Sequence, residues 1–102
     1  MFKHIPVDEC KMMLDEGRAQ CIDIRDKQSY LAGHIPTSTH VDNNNVDAFT
    51  ASADKTRALL VCCYHGNSSQ NAAEFFSQQG FEDVYSIDGG ISAWAQSFAC
   101  ES

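Results

Sequence analysis

Apolar residues fall along this chain in short blocks, and the spacing within each block is that of a strand or that of a helix. Apolar runs bounded by polar residues predict four strands, at residues 19–24, 39–41, 58–63 and 83–87. Helical spacing and helix-ending glycines predict five helices, at residues 7–16, 26–35, 45–53, 68–80 and 91–98. Strands and helices in alternation predict an α/β fold around a parallel sheet.

The strand predicted at residues 58–63 has the sequence ALLVCC and contains no polar position. A strand without alternation is covered on both faces, which places it in the middle of a parallel sheet. In open α/β sheets ligands bind beyond the carboxyl ends of the strands. Three polar clusters lie at such ends, at residues 23–26, 63–69 and 88–90. The second is the most informative of the three because it begins with a cysteine.

Composition and charge narrow the function further. The chain has 102 residues, of which 43% are apolar, which predicts one domain over residues 1–102 with a modest core. The formal net charge is −7 and no Lys or Arg follows Arg57, so nonspecific binding to nucleic acid or to an anionic membrane is disfavoured. The chain shows no signal peptide and no apolar run of membrane-spanning length, and we expect a cytoplasmic protein, as a monomer or weak dimer.

The five cysteines are an odd number and none belongs to a C-x-x-C pair, which favours reduced thiols. Cys62 and Cys63 are adjacent in a predicted strand, so their side chains point to opposite faces and a zinc site is disfavoured. We therefore expect no metal. Cys10, Cys21 and Cys62 lie in elements with an apolar pattern and are predicted to be buried hydrophobic residues, whereas Cys100 is predicted to be a tail thiol.

Cys63 has a different setting from the other cysteines. It is predicted to be the last residue of the central strand, and the loop YHGNS then leads into a helix. Gly66 can adopt a positive φ angle, so the loop can turn its N–H groups inward, and the helix adds unpaired first-turn N–H groups. Cysteines in comparable settings have pKa values of roughly 3.5–7.5, and the thiolate is the nucleophilic form. The sequence therefore predicts a reactive thiolate at Cys63.

Two kinds of nucleophilic cysteine chemistry use such a loop. Phosphate-ester or arsenate chemistry usually needs an arginine that closes the loop, but the C-x5-R spacing would place it at Ser69. That chemistry is the weaker candidate. In sulfur transfer the thiolate attacks the outer sulfur of a donor such as thiosulfate, sulfite leaves, and cyanide or a thiol then discharges the cysteine persulfide. Backbone N–H groups can hold the persulfide, so no metal or organic cofactor is required.

The sequence resembles a single-domain rhodanese, a family of thiosulfate sulfurtransferases, over residues 4–98. CYHGNSS at residues 63–69 matches an active-site loop of that family, and residues 23–35 and 84–94 resemble its two signatures. The resemblance implies a rhodanese-like, five-stranded parallel sheet flanked by helices on both faces. It implies that Cys63 carries sulfur as a persulfide, that the backbone from Tyr64 to Ser68 cradles it, and that a thioredoxin-like dithiol is an acceptor. Many family loops carry a cation at the position of Tyr64, which bears on donor preference.

The residues predicted to bind substrate or persulfide are Tyr64, His65, Gly66, Asn67, Ser68 and Ser69. His65 can supply a positive charge or be an exposed loop residue, and the sequence leaves both open. Ser68 and Ser69 can hydrogen-bond the persulfide, and capping of the following helix is at least as good an interpretation. Asp23 and Arg25 can face substrate, but the favoured interpretation is a structural ion pair or hydrogen bonds that fix neighbouring loops. A protein-to-protein persulfide carrier or a regulatory binding module with slow turnover is the alternative function.

Overall fold

A parallel sheet of five strands organises the computed structural model, which describes residues 1–102. In chain order the strands are β1 (Lys3–Ile5), β2 (Ala19–Asp23), β3 (Thr39–His40), β4 (Ala58–Cys62) and β5 (Val84–Ile87). They lie side by side in the order β1-β5-β4-β2-β3, and every neighbouring pair is parallel. This arrangement confirms the predicted α/β architecture, with the entirely apolar strand β4 at the centre.

Five helices cover the sheet on both faces. They are α1 (Val7–Asp15), α2 (Lys27–Ala32), α3 (Val46–Ser52), α4 (Ser68–Gln78) and α5 (Gly90–Ser97). Alternate residues of β4 point to opposite faces and belong to two separate apolar clusters. Leu60 shares one cluster with Cys10 of α1 and Trp94 of α5, whereas Val61 shares the other with Phe76 of α4. None of these helices is both long enough and apolar enough to cross a membrane.

The first strand is the element that the apolar pattern did not predict. β1 has three residues, of which only Ile5 is buried, and it pairs with β5 at the edge of the sheet. A segment this short cannot show a strand alternation. A smaller difference concerns Cys63, which lies one residue beyond the end of β4. Trp94 is buried in the core.

Candidate active site

Cys63 lies where the central strand meets the loop that leads to α4. The residue is only 3% exposed, and its sulfur accepts hydrogen bonds from the main-chain N–H groups of Gly66 at 3.1 Å and Ser69 at 3.2 Å. Ser69 is the second residue of α4, so its N–H is one of the first-turn donors without a partner inside the helix. One N–H group of the loop and one of the first helical turn therefore point at the sulfur.

The loop turns at Gly66, which has a φ of 89° in the left-handed region that favours glycine. A Cβ atom at this position would lie 2.8 Å from the main-chain nitrogen of Gly89 and 3.2 Å from the carbonyl oxygen of Ile87. Both the dihedral angle and the close approach of the two loops therefore require glycine. The turn directs the Gly66 N–H towards the sulfur of Cys63.

The start of α5 holds the other side of the loop. The N–H of Ile91 donates to the carbonyl oxygen of Cys63 at 2.8 Å, and the N–H of Ser92 donates to that of Tyr64 at 3.1 Å. These two carbonyl oxygens are thereby bound to the helix N-terminus and do not turn towards the sulfur. A Cβ atom at Gly90 would lie 2.7 Å from the carbonyl carbon of Tyr64 and still closer to the carbonyl oxygen of Cys63, so the contact needs glycine.

The pKa of the Cys63 thiol lies below its ordinary value. Burial of the thiol raises this pKa, but hydrogen bonds from the Ser69 hydroxyl and from the main-chain N–H groups of Ser69, Gly66 and His65 outweigh the burial. The site therefore favours the thiolate, which is the nucleophilic form.

The other cysteines lack this support. Burial raises the pKa of Cys10 to about 12, and burial likewise raises the pKa values of Cys21 and Cys62 well above that of a free thiol. All three are buried, as predicted, whereas Cys100 is exposed near the end of the chain. Only Cys63 combines a lowered pKa with a place at the carboxyl edge of the sheet.

Two buried hydroxyl groups lie behind the sulfur. Ser69 Oγ and Ser86 Oγ are 2.7 Å apart, and both residues are fully buried. Ser86 has no other hydrogen-bond partner, so its hydrogen is satisfied only when it donates to Ser69 Oγ, which leaves the Ser69 hydrogen for the sulfur of Cys63. Of the two interpretations of the loop serines, capping does not hold for either, because Asn67 occupies the N-cap position of α4. Ser68 is exposed in the first turn of the helix, and Ser69 is buried.

The outer rim of the site consists of four exposed loop residues, Tyr64, His65, Asn67 and Ser68. The Tyr64 hydroxyl donates to the carboxylate of Asp26 and lies 2.6 Å from Ser29 Oγ. Hydrogen bonds from Tyr64 first, and from Ser29, lower the pKa of Asp26 to about 2. His65 Nδ1 lies 2.9 Å from Ser92 Oγ. The rim is thus tied to α2 on one side and to α5 on the other.

The nearest guanidinium group is already paired. Arg25 contacts the carboxylate of Asp23 at 2.8 Å, both side chains are buried, and Arg25 also donates to the carbonyl oxygen of Gly33 at 2.6 Å. This is the structural ion pair that the sequence predicted. The positive charge of Arg25 is therefore neutralised by Asp23. The guanidinium nevertheless lies close to the rim, 5.5 Å from the ring centre of Tyr64. No group of three or more His, Cys, Asp or Glu side chains converges in a way that could hold a metal ion.

The structure brings the three predicted polar clusters together. Asp26 of the first cluster bonds to Tyr64 of the second, and Gly90 of the third lies against Cys63. Ser86 was missed, although a serine within the otherwise apolar strand VYSI is a signal for a buried polar role. The main-chain donors of α5 were also missed, because backbone donors have no side-chain signal beyond the Gly-Gly pair.

Known proteins resemble this chain over nearly its whole length. Residues 6–97 match the family model of the rhodanese-like domain. The chain is 48% identical over 101 residues to the thiosulfate sulfurtransferase GlpE of Pseudomonas paraeruginosa, which covers 99% of this chain and 91% of that protein. It is 45% identical over 101 residues to the protein of the same name from Pseudomonas savastanoi pv. phaseolicola, with 99% of this chain and 94% of that protein covered.

Solved structures of other proteins share this fold over nearly the whole chain. The solution structure of a rhodanese-like domain from an Anabaena protein has a TM-score of 0.86 at 26% identity, covering 100% of this chain and 80% of that chain. The crystal structure of a rhodanese-related protein from Thermoplasma volcanium has a TM-score of 0.83 at 23% identity, covering 98% of each chain. The second likeness bears on the fold alone.

Proposed function

Because the chain belongs to the rhodanese-like domain family, we propose that it is a thiosulfate sulfurtransferase with Cys63 as its sulfur carrier. Relatives of that name at 48% and 45% identity over nearly the whole chain support the activity. One observation supports the choice of residue: the sulfur of Cys63 accepts the N–H groups of Gly66 and Ser69, and its pKa is lowered.

In the first step the Cys63 thiolate attacks the outer sulfur of thiosulfate. A sulfur–sulfur bond to Cys63 forms, the bond between the two sulfur atoms of thiosulfate breaks, and sulfite leaves with the electron pair. No proton moves in this exchange, so the site needs only groups that stabilise negative charge. The N–H groups of Gly66 and Ser69 supply that stabilisation for the thiolate and for the persulfide that replaces it.

In the second step an external acceptor removes the outer sulfur of the persulfide. Cyanide takes it directly and becomes thiocyanate, and a thioredoxin-like dithiol takes it as a persulfide that its second thiol discharges as hydrogen sulfide. The chain's own buried thiols are poor acceptors because burial raises the pKa values of Cys10, Cys21 and Cys62. The loaded enzyme should therefore persist until an acceptor arrives.

The cation arrangement opposes phosphoryl transfer, the weaker candidate from the sequence. That chemistry needs a guanidinium free to bind the transferring oxyanion in a bidentate manner. Ser69 stands at the position of the loop-closing arginine, and Arg25 is occupied by Asp23 and Gly33. Sulfur transfer makes no such demand.

Mass spectrometry of the protein after incubation with thiosulfate tests the proposal directly. We expect the mass of one sulfur atom to be added to the peptide that contains Cys63. Cys63→Ser should abolish thiocyanate formation, and Cys62→Ser, the matched control at the adjacent residue, should retain most of it. Absence of added sulfur, or loss of activity in Cys62→Ser with retention in Cys63→Ser, would overturn the assignment.

A further inference from the structure

An apolar groove of about 470 Å³ opens on the face of the sheet that α3 and α4 cover. Six of its nine lining residues are apolar, namely Ile24, Val41, Val46, Ala72, Phe75 and Phe76. The other three are Asp42, Asn43 and Asp47. Phe75 is 41% exposed, so its ring joins the apolar lining of the groove and is available to a molecule that binds there.

The groove begins where the active-site loop ends. On one wall, the N–H of Ile24 donates to the carbonyl oxygen of Cys62, the residue before the sulfur carrier. On the other wall, Ala72 and Phe75 follow Ser68 by four and seven residues of α4, so all three share one helix face. Each lies about one helical turn, or ~5.4 Å, beyond the previous one. A molecule in the groove therefore reaches the loop without leaving the surface.

The charges that line the groove have one sign. Asp42 and Asp47 are its only charged residues, and no Lys or Arg lines it. Asp47 is exposed and forms no ion pair, while the carboxylate of Asp42 accepts the N–H of Asn44 at 2.9 Å and lies 3.9 Å from the imidazole of His40. The whole chain carries a net charge of −7. An anion is repelled here, whereas an apolar side chain beside a cation is complementary to both the walls and the rim.

We propose that this groove docks the sulfur acceptor, a protein or peptide thiol whose cysteine is flanked by an apolar side chain and by Lys or Arg. The inference rests on the proposed sulfurtransferase function and specifies the acceptor of its second step. The acceptor thiolate attacks the outer sulfur of the Cys63 persulfide, the bond between the two sulfur atoms breaks, and Cys63 returns to its thiolate. The product is an acceptor persulfide, so atoms and charge balance without a further reactant.

Two synthetic peptides test the charge requirement on the intact enzyme. The first contains one cysteine, one leucine and two lysines, and the second replaces both lysines with glutamates. With enzyme loaded from thiosulfate, we expect the lysine peptide to have a KM lower by about tenfold, since each of two rim contacts contributes about threefold. High salt should shrink the difference because Asp47 is exposed and Asp42 is only half-buried.

Matched variants test the location. Asp47→Lys should raise the KM of the lysine peptide by about threefold or more, whereas Glu82→Lys, the same charge change before β5, should leave it unchanged. Phe75→Ala should raise that KM by about fivefold, with Met12→Ala, an exposed apolar residue of α1, as control. Transfer to cyanide, which needs no groove, should be equal in all four variants.

The outcomes separate the docking proposal from the proposed function. Equal KM values for the two peptides in the wild type, or equal effects of Asp47→Lys and Glu82→Lys, would overturn the docking site while cyanide transfer continues. Loss of sulfur loading at Cys63 in the wild type would instead overturn the proposed function.

Discussion

The main-chain N–H of Ile91 donates a 2.8 Å hydrogen bond to the carbonyl oxygen of Cys63, so the first turn of α5 is attached to the residue that carries the sulfur. Two helix N-termini therefore build the site. The start of α4 directs N–H groups to the sulfur, and the start of α5 binds the carbonyl oxygens on the other side of the chain. Such a cradle depends on the path of the backbone more than on charged side chains.

Gly90 is the residue on which this attachment depends. Its φ is 55°, and a Cβ atom would lie 2.7 Å from the carbonyl carbon of Tyr64. We expect Gly90→Ala to push α5 away from the loop and to lower kcat/KM for thiosulfate at least about tenfold, equivalent to about 1.4 kcal/mol. Steady-state thiocyanate formation measures the change.

Gly17→Ala is the matched control for the left-handed backbone. Gly17 has a φ of 70°, but a Cβ atom there meets no other atom within 4 Å. The control should lose about 1 kcal/mol of unfolding free energy, from strain alone, and keep full activity. Equal activities of Gly90→Ala and Gly17→Ala would show that the contact between Gly90 and the loop is not needed for catalysis.

Local sequence patterns predicted the part of the site that is local in the chain. Cys63 and Gly66 stand in one continuous segment, where the end of an apolar strand and a glycine turn are both visible. Ser86 bonds to Ser69 because β4 pairs with β5, and Ile91 bonds to the carbonyl oxygen of Cys63 because α5 packs against the loop. Neither tertiary contact leaves a periodic pattern in the sequence. The edge strand β1 was not predicted for a related reason, because its pairing with β5 depends on tertiary contacts.

The hydrogen bond between Ser69 and Ser86 predicts non-additive mutations. Ser69→Ala removes a donor from the sulfur and leaves the buried Ser86 hydroxyl without a partner, at a cost of about 1–3 kcal/mol. The double variant Ser69→Ala/Ser86→Ala has no orphaned hydroxyl, so we expect it to be more stable than Ser69→Ala alone. Urea unfolding measures the free energies.

These two variants, together with Ser86→Ala, distinguish stability from thiol activation. Alkylation of Cys63 by iodoacetamide near neutral pH should be slower in both variants that lack the Ser69 hydroxyl, because the pKa of the thiol rises towards its ordinary value. Ser86→Ala alone should alkylate at nearly the wild-type rate. If Ser69→Ala alkylates as fast as the wild type, the hydroxyl makes no contribution to the thiolate.

The carboxylate of Asp26 places a permanent negative charge at the rim. Tyr64 and Ser29 hold its pKa at about 2, so it stays ionised at every practical pH. In Asp26→Asn the amide oxygen can still accept the Ser29 N–H, as an N-cap of α2, while the amide NH2 can donate to the Tyr64 hydroxyl oxygen. We therefore expect Asp26→Asn to lower the KM for thiosulfate, an anion, by about two- to threefold with little change in kcat. The effect should vanish in high salt, and Glu82→Gln should not reproduce it.

The three buried thiols predict a loss of stability in alkali. Burial raises the pKa values of Cys10, Cys21 and Cys62, so the folded state keeps protons that the unfolded state releases. The stabilisation that these neutral thiols give the folded state is complete below the pKa of an unfolded cysteine, about 8.5. It is lost as the pH rises towards the pKa values of the folded state. Urea unfolding should show a falling free energy above pH ~8.5, and Cys10→Ala should fall less steeply.

Cys63 changes the unfolding free energy with pH in the opposite direction. Its folded pKa is lowered, so its contribution is present above the unfolded pKa and is lost as the pH falls through the folded value. The difference in unfolding free energy between wild type and Cys63→Ser should therefore grow as the pH is raised from acid to neutral and beyond. A difference that shrinks over that range would contradict the lowered pKa.

Thr37 is the one residue other than glycine with a positive φ, at 69°, and it offers a route to a more stable protein. Its N–H donates to Glu101 Oε1 at 3.0 Å, which ties the end of the chain to the loop before β3 and holds the strained angle in place. Asn adopts the left-handed region more readily than a β-branched residue, so Thr37→Asn should raise the unfolding free energy by about 1 kcal/mol and leave activity unchanged. Thr39→Asn, the same exchange two residues later in β3, should instead be neutral or destabilising because Asn is disfavoured in strands. An equal rise of the unfolding free energy in both variants would show that the Thr-to-Asn exchange itself is stabilising and that the backbone angle at Thr37 is not the cause.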